Sequence, residues 1–136
     1  MRIFYFDSSA LAKGDIKEKG SVIVERILEN TAEQQWRVLM IGLLETISIF
    51  VRKKNNKVIS QTIFQSALRT FKNDFLDNLK VFKVEATNDL ILVSADQRLL
   101  TAAKAERLQV INPETATLAE IEQLLQADSP AQSHAE

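Results

Sequence analysis

Three carboxylates stand where an apolar chain has little ordinary use for one. Asp7 ends the apolar run Arg2 to Phe6 and is followed by two serines. Asp96 repeats that arrangement at the end of LILVSAD, residues 90–96, with the small hydroxyl residue Ser94 just before it. Glu45 interrupts a helical pattern whose neighbours three and four positions away are Ile41, Gly42, Ser48 and Ile49. A lone carboxylate on such a face is costly unless it is paired or bound to a cation. Three hard oxygen donors suit Mg²⁺ or Mn²⁺ rather than zinc. The chain has no Cys, and its one histidine, His134, lies in the polar tail. Thiolate metal sites, cysteine nucleophiles and a Ser-His-Asp set are thereby excluded, and no phosphate-binding glycine loop is present. A carboxylate-held cation that activates water and stabilises charge on a phosphodiester is the catalytic device these residues could build.

Each acid also has a purely structural role open to it. Asp7 can cap the helix that follows, as can Ser8 or Ser9. Asp96 is a good N-cap, and Ser94 with Gln97 has capping-box spacing. Glu45 can lie at a helix boundary and reach water.

The elements that must position these acids follow from apolar periodicity. Strands are expected at Arg2 to Phe6, Trp36 to Met40, Val81 to Val84, Leu90 to Val93 and Gln109 to Ile111. Helices are expected at Ser8 to Lys13, Lys17 to Asn30, Gly42 to Lys54, Val58 to Asn78, Gln97 to Arg107 and Leu118 to Leu125. Alternation of strands and helices predicts an α/β sandwich around a mostly parallel sheet, with helices on its faces. Ligand sites in such sheets form outside the carboxyl ends of the strands, where Asp7 and Asp96 fall.

Composition bounds the rest. With 136 residues and 46% apolar content the chain fits one domain, here residues 1–126, followed by a flexible polar tail over 127–136. The longest apolar stretch, Val38 to Val51, is too short for a membrane span and contains Glu45. No signal-peptide pattern opens the chain, so a cytoplasmic protein is expected. Residues 113–136 carry five acids and no Lys or Arg, which leaves a mildly basic body of 17 basic and 13 acidic groups. Such a body can bind a polyanion, although ordinary solvated charge explains it equally well.

At its acidic residues the chain resembles the PIN-domain family, and within it the VapC-type ribonuclease toxins of bacterial toxin–antitoxin pairs. YFDSSALAK is similar to the family's first motif, with Asp7 as its acid and Ser8 beside it. LLETISIFVRK is similar to the second, with Glu45 as its acid. LVSADQRLLTAAKAERLQVINPE, residues 92–114, resembles the last strand and helix, with Asp96 as its acid and Ser94 in support. The resemblance implies a PIN-like three-layer sandwich and RNA cleavage dependent on Mg²⁺ or Mn²⁺, with metal held by Asp7, Glu45 and Asp96. It also implies an antitoxin partner. Lys13 and Arg98 are candidates for phosphate contact.

One motif of the family is missing: an Asp opening a helix between the strands matched by Val81 to Val84 and Leu90 to Val93. Only Glu85 to Asp89 joins those segments, too short for a parallel crossover. The expectation is a PIN-derived chain lacking one helical segment. It also favours a homodimer in which Leu90 to Val93 is exchanged between chains. Two functions remain open: a metal-dependent endoribonuclease, or a catalytically impaired remnant that binds a protein partner or dimerises. A phosphatase with an aspartyl nucleophile fits poorly, because the second Asp it needs two residues after the first is Ser9.

Overall fold

The computed structural model describes residues 2–77 and 89–127. The strands are β1 (Ile3–Phe6), β2 (Trp36–Arg37), β3 (Leu90–Val93) and β4 (Gln109–Ile111). The helices are α1 (Ser8–Asp15), α2 (Ser21–Asn30), α3 (Met40–Asn55), α4 (Gln61–Phe71), α5 (Gln97–Ala105) and α6 (Leu118–Gln126). The four strands form one sheet in the order β2-β1-β3-β4, and every pairing is parallel.

Burial on both faces explains the near-continuous apolar strands. Phe4, Phe6, Ile91 and Val93 point into the main core with Leu11, Ile27, Leu43, Phe50 and Phe71. Leu92, the alternate residue of β3, is buried outside that cluster, as are Leu100 and Ala103 of α5. The step from β1 to β2 runs across the sheet in one direction and the step from β3 to β4 in the other. Right-handed crossovers therefore place α1 and α2 on one face and α5 on the opposite face. Helix α1 also packs on α3 and α4. Helix α4 ends in a wider turn over Lys72–Leu76, which sets Phe75 against Phe71 and Trp36.

The exchanged-strand dimer is overturned. Strand β3 pairs along its whole length with β1 of its own chain, Ile3 opposite Leu90 and Phe6 opposite Val93. From Leu76 the chain has a dozen residues in which to reach Asp89, a span of roughly 40 Å when extended. The strand expected at Val81 to Val84 lies outside the described residues, as do the tail from Asp128 and His134. Of the other expectations, the helix placed at Lys17 starts four residues later. Residues 17–20 instead form a loop held by the Ser21 hydroxyl, which accepts from the Glu18 amide and donates to the Ile16 carbonyl.

Gly20 closes that loop with φ of 90°. A Cβ there would lie 2.9 Å from the Pro113 carbonyl carbon and oxygen, both backbone atoms. Gly20→Ala is expected to cost roughly 1–3 kcal/mol through left-handed strain and this close approach. Urea unfolding checks it, and a midpoint equal to wild type would contradict the close packing of this loop on Pro113.

Candidate active site

Asp7 occupies the N-cap of α1 directly beyond β1, and Asp96 occupies the N-cap of α5 just beyond β3. Because β1 and β3 are neighbours, the two aspartates reach one rim of the sheet. Glu45 comes from the second turn of α3. All three line one open cleft of about 730 Å³, together with Ser8, Tyr5 and Arg52. Among the described residues, Arg52 is the one cation that lines the cleft.

Serine hydroxyls fix the geometry of this rim. The Ser94 hydroxyl is fully buried and donates to Asp7 Oδ2 at 2.8 Å. It accepts from the Asp96 amide at 2.9 Å. Ser9 donates to Asp7 Oδ1 at 2.8 Å and accepts from the Ala95 amide at 2.9 Å. Asp7 Oδ1 also takes the Ala10 amide at 3.0 Å, the capping bond of α1. Asp7 is thus held by three donors in a single orientation. Asp96 caps with Oδ1 alone, accepting from Arg98 and Leu99 amides. Capping and cleft-lining are therefore not alternatives here: both aspartates do both. Glu45 is exposed, as the boundary reading of that residue anticipates.

Electrostatics mark the same place. The Tyr5 hydroxyl is pushed above its ordinary pKa, first by burial and then by the negative charge of Asp7. A backbone hydrogen bond at Leu39 opposes the rise, and Glu45 adds to it. The donor set fits Mg²⁺ or Mn²⁺ by chemistry, since each acid is a hard oxygen ligand. Among the described residues, however, no three acidic or histidine side chains converge tightly enough to form a preassembled cation cluster.

The remaining sequence candidates separate. Ser8 lines the cleft, but Ser9 makes the hydroxyl bond to Asp7. Arg98 is exposed on the first turn of α5 and is not part of the cleft wall. The structure removes Lys13 as a phosphate contact. Its side chain is buried, 2.8 Å from Glu114 and 3.2 Å from Glu18, and Glu18 also pairs with Lys53. Burial works against the Lys13 charge, but the two glutamates outweigh it and raise the pKa. The network ties α1, α3 and the segment after β4 together. Lys13→Gln is expected to lower stability by roughly 1–3 kcal/mol, because it strands Glu114 beside a buried amide. Thermal melting checks it, and a variant that melts at the wild-type temperature would overturn the ion-pair role of Lys13.

Sequence reasoning missed Ser9, Tyr5 and Arg52. Ser9 was visible as a second hydroxyl beside Asp7. Arg52 was visible as a residue seven positions after Glu45, two helical turns on and therefore on the same face. Tyr5 carried no signal, because its place in β1 reads as core.

The chain matches no family model, and no significant likeness to a curated protein or a solved structure is found.

Proposed function

We propose that this protein is a metal-dependent endoribonuclease of the PIN type, cleaving RNA phosphodiesters in the cleft lined by Asp7, Glu45 and Asp96. The observation that supports this reading most is the meeting of those three acids, from three separate sequence blocks, on one cleft at the carboxyl ends of parallel strands. The resemblance of those blocks to the family's acidic motifs adds to it. Asp7, Glu45 and Asp96 would hold Mg²⁺ or Mn²⁺, which supplies Lewis-acid stabilisation and an activated water. The chain's own contribution is positional. Ser9 and Ser94 hold the Asp7 carboxylate in place, and the Ser94 hydroxyl ties Asp96's backbone to it. Asp7 and Asp96 keep accepting capacity beyond their capping bonds, because ionised carboxyl groups offer about four lone-pair sites.

A second reading, a non-catalytic binding module in a toxin–antitoxin setting, draws on the lack of a preassembled acid cluster among the described residues. Titration calorimetry with Mn²⁺ separates the two. The nuclease reading expects saturable binding that Asp96→Asn weakens. No heat of binding up to millimolar Mn²⁺, together with no cleavage of RNA, would leave the binding module.

A further inference from the structure

Three consecutive cations, Arg52, Lys53 and Lys54, stand in the last turn of α3, and each meets a different environment. Lys53 forms an ion pair with Glu18. The Lys54 ammonium lies 4.7 Å from the centre of the Phe64 ring, a cation–π contact. Arg52 is exposed and lines the acidic cleft, and it makes no ion pair or side-chain hydrogen bond among the described residues. Any of the three complements the negative end of the helix dipole, so that role does not explain why one of them stands on the cleft wall. Lys13 and Arg98, the other cations considered for phosphate contact, do not line the cleft.

The charge balance of the wall says what Arg52 can take. Asp7, Glu45 and Asp96 set against Arg52 leave the cleft two charges negative, and one divalent cation on the acids brings it to neutral. With Arg52 removed, the loaded cleft stays anionic and repels a polyanion. Arg52 stands seven residues beyond Glu45 on α3, about 10 Å along the helix axis. That separation exceeds the width of one phosphate group. We infer that Arg52 grips the backbone phosphate next to the one held at the acids, so that the cleft selects oligonucleotides with at least two successive phosphates. The planar guanidinium suits this task, because it donates parallel N–H bonds to two phosphate oxygens, whereas an ammonium acts as a point charge. The inference rests on the nuclease reading and adds to it the phosphate register of the substrate.

Two binding measurements on the full chain test it, with folding checked by circular dichroism. The first is fluorescence anisotropy of a labelled oligouridylate, with Ca²⁺ as the hard cation and the RNA checked intact on a gel. The second is titration calorimetry with Mn²⁺ alone. Arg52→Gln is expected to weaken oligouridylate binding about tenfold. It should also flatten the slope of log affinity against log salt by about 0.7, the share of one phosphate contact on a single strand. Its Mn²⁺ affinity should rise by about twofold, because a like charge has left the neighbourhood of the cation. Arg52→Lys should keep the wild-type salt slope and lose part of the affinity. Uridylyl-uridine, which carries a single phosphate, should bind wild type and Arg52→Gln equally well in competition. Equal oligouridylate binding by the two proteins, in a wild type that binds both metal and RNA, overturns this inference and leaves the nuclease reading standing. A wild type that binds neither overturns both. A fall in Mn²⁺ affinity would make Arg52 a support of the acids rather than a phosphate ligand. Uridylyl-uridine weakened as much as the oligomer would overturn the flanking position.

Discussion

Asp7→Asn is expected to reduce Mn²⁺-dependent RNA cleavage by at least about a hundredfold, equivalent to roughly 2.7 kcal/mol of barrier. The amide replaces the carboxylate only in part. Its oxygen keeps the bonds from Ser9 and the Ala10 amide, so the cap of α1 survives. Its NH₂ group takes the place of the oxygen that accepts from Ser94. The Ser94 oxygen, which already accepts the Asp96 amide, can accept once more, but its own proton then loses its acceptor. That leaves a stability loss of about 1 kcal/mol, far too small to unfold the protein. The negative charge is gone, and with it a hard anionic ligand. Gel assays with purified wild type and variant, at matched folded fractions, decide the matter. Equal cleavage by both would assign the activity to a contaminant and sink the nuclease reading.

The largest expected effect on stability lies away from the cleft. Asp15 ends α1, and its pKa is raised from 3.8 to about 7, first by burial and then by the nearby charge of Asp74. The helix C-terminus adds its own negative dipole end to that environment. Folding therefore traps a carboxylate that prefers to be neutral. In the unfolded chain the group titrates near its ordinary value. Between about pH 4 and pH 7 the native state holds the extra proton, so stability falls as pH rises through this window. Above it, the penalty is present in full. A shift of this size corresponds to at most about 4 kcal/mol, and partial solvation reduces it. Asp15→Asn should raise the melting temperature at pH 8 by about 4 °C or more. At pH 4 the gain should vanish, because wild type is already protonated there. Melting curves from pH 4 to 8 measure this, and a difference independent of pH would show that Asp15 is not the titrating group.

Much of the layout could be read from the sequence because its signals are local. The run Ile3 to Phe6 and the run Leu90 to Val93 are apolar at every position or nearly so, as strands covered on both faces must be. The four-residue spacing of Ala67 and Phe71 marked the buried face of α4, although Ile63, on the same spacing, is exposed. What the sequence hid was long-range. Lys13 reads as an exposed cation on a short helix, and only the approach of Glu114, 101 positions away, turns it into a buried ion pair. Nothing local distinguishes Ser8 from Ser9 as the donor to Asp7. Exchange of Leu90 to Val93 between chains was expected from the short link after Val84, whereas β3 pairs with β1 of its own chain in a long-range register that the link does not specify. The strand ends bearing Asp7 and Asp96 were legible as neighbours only through the family resemblance. Their pairing rests on a register that no single segment specifies.

The serine bridge between the two strand ends has a kinetic consequence. Ser9 meets Ala95, and Asp7 meets Ser94, across 86 and 87 positions of chain. Neither bond can form until β1 and β3 have found one another, and that encounter closes most of the domain into a loop. Contacts of such high sequence separation are slow to form and dominate the contact order. The helices α1 to α4 can form and pack on one another beforehand, since their mutual contacts lie within residues 8–71. The acidic rim is therefore a late product of folding. During synthesis, a chain released only as far as α4 would be helical and partly collapsed, yet it would have no complete site, because Ser94 and Asp96 had still to be translated.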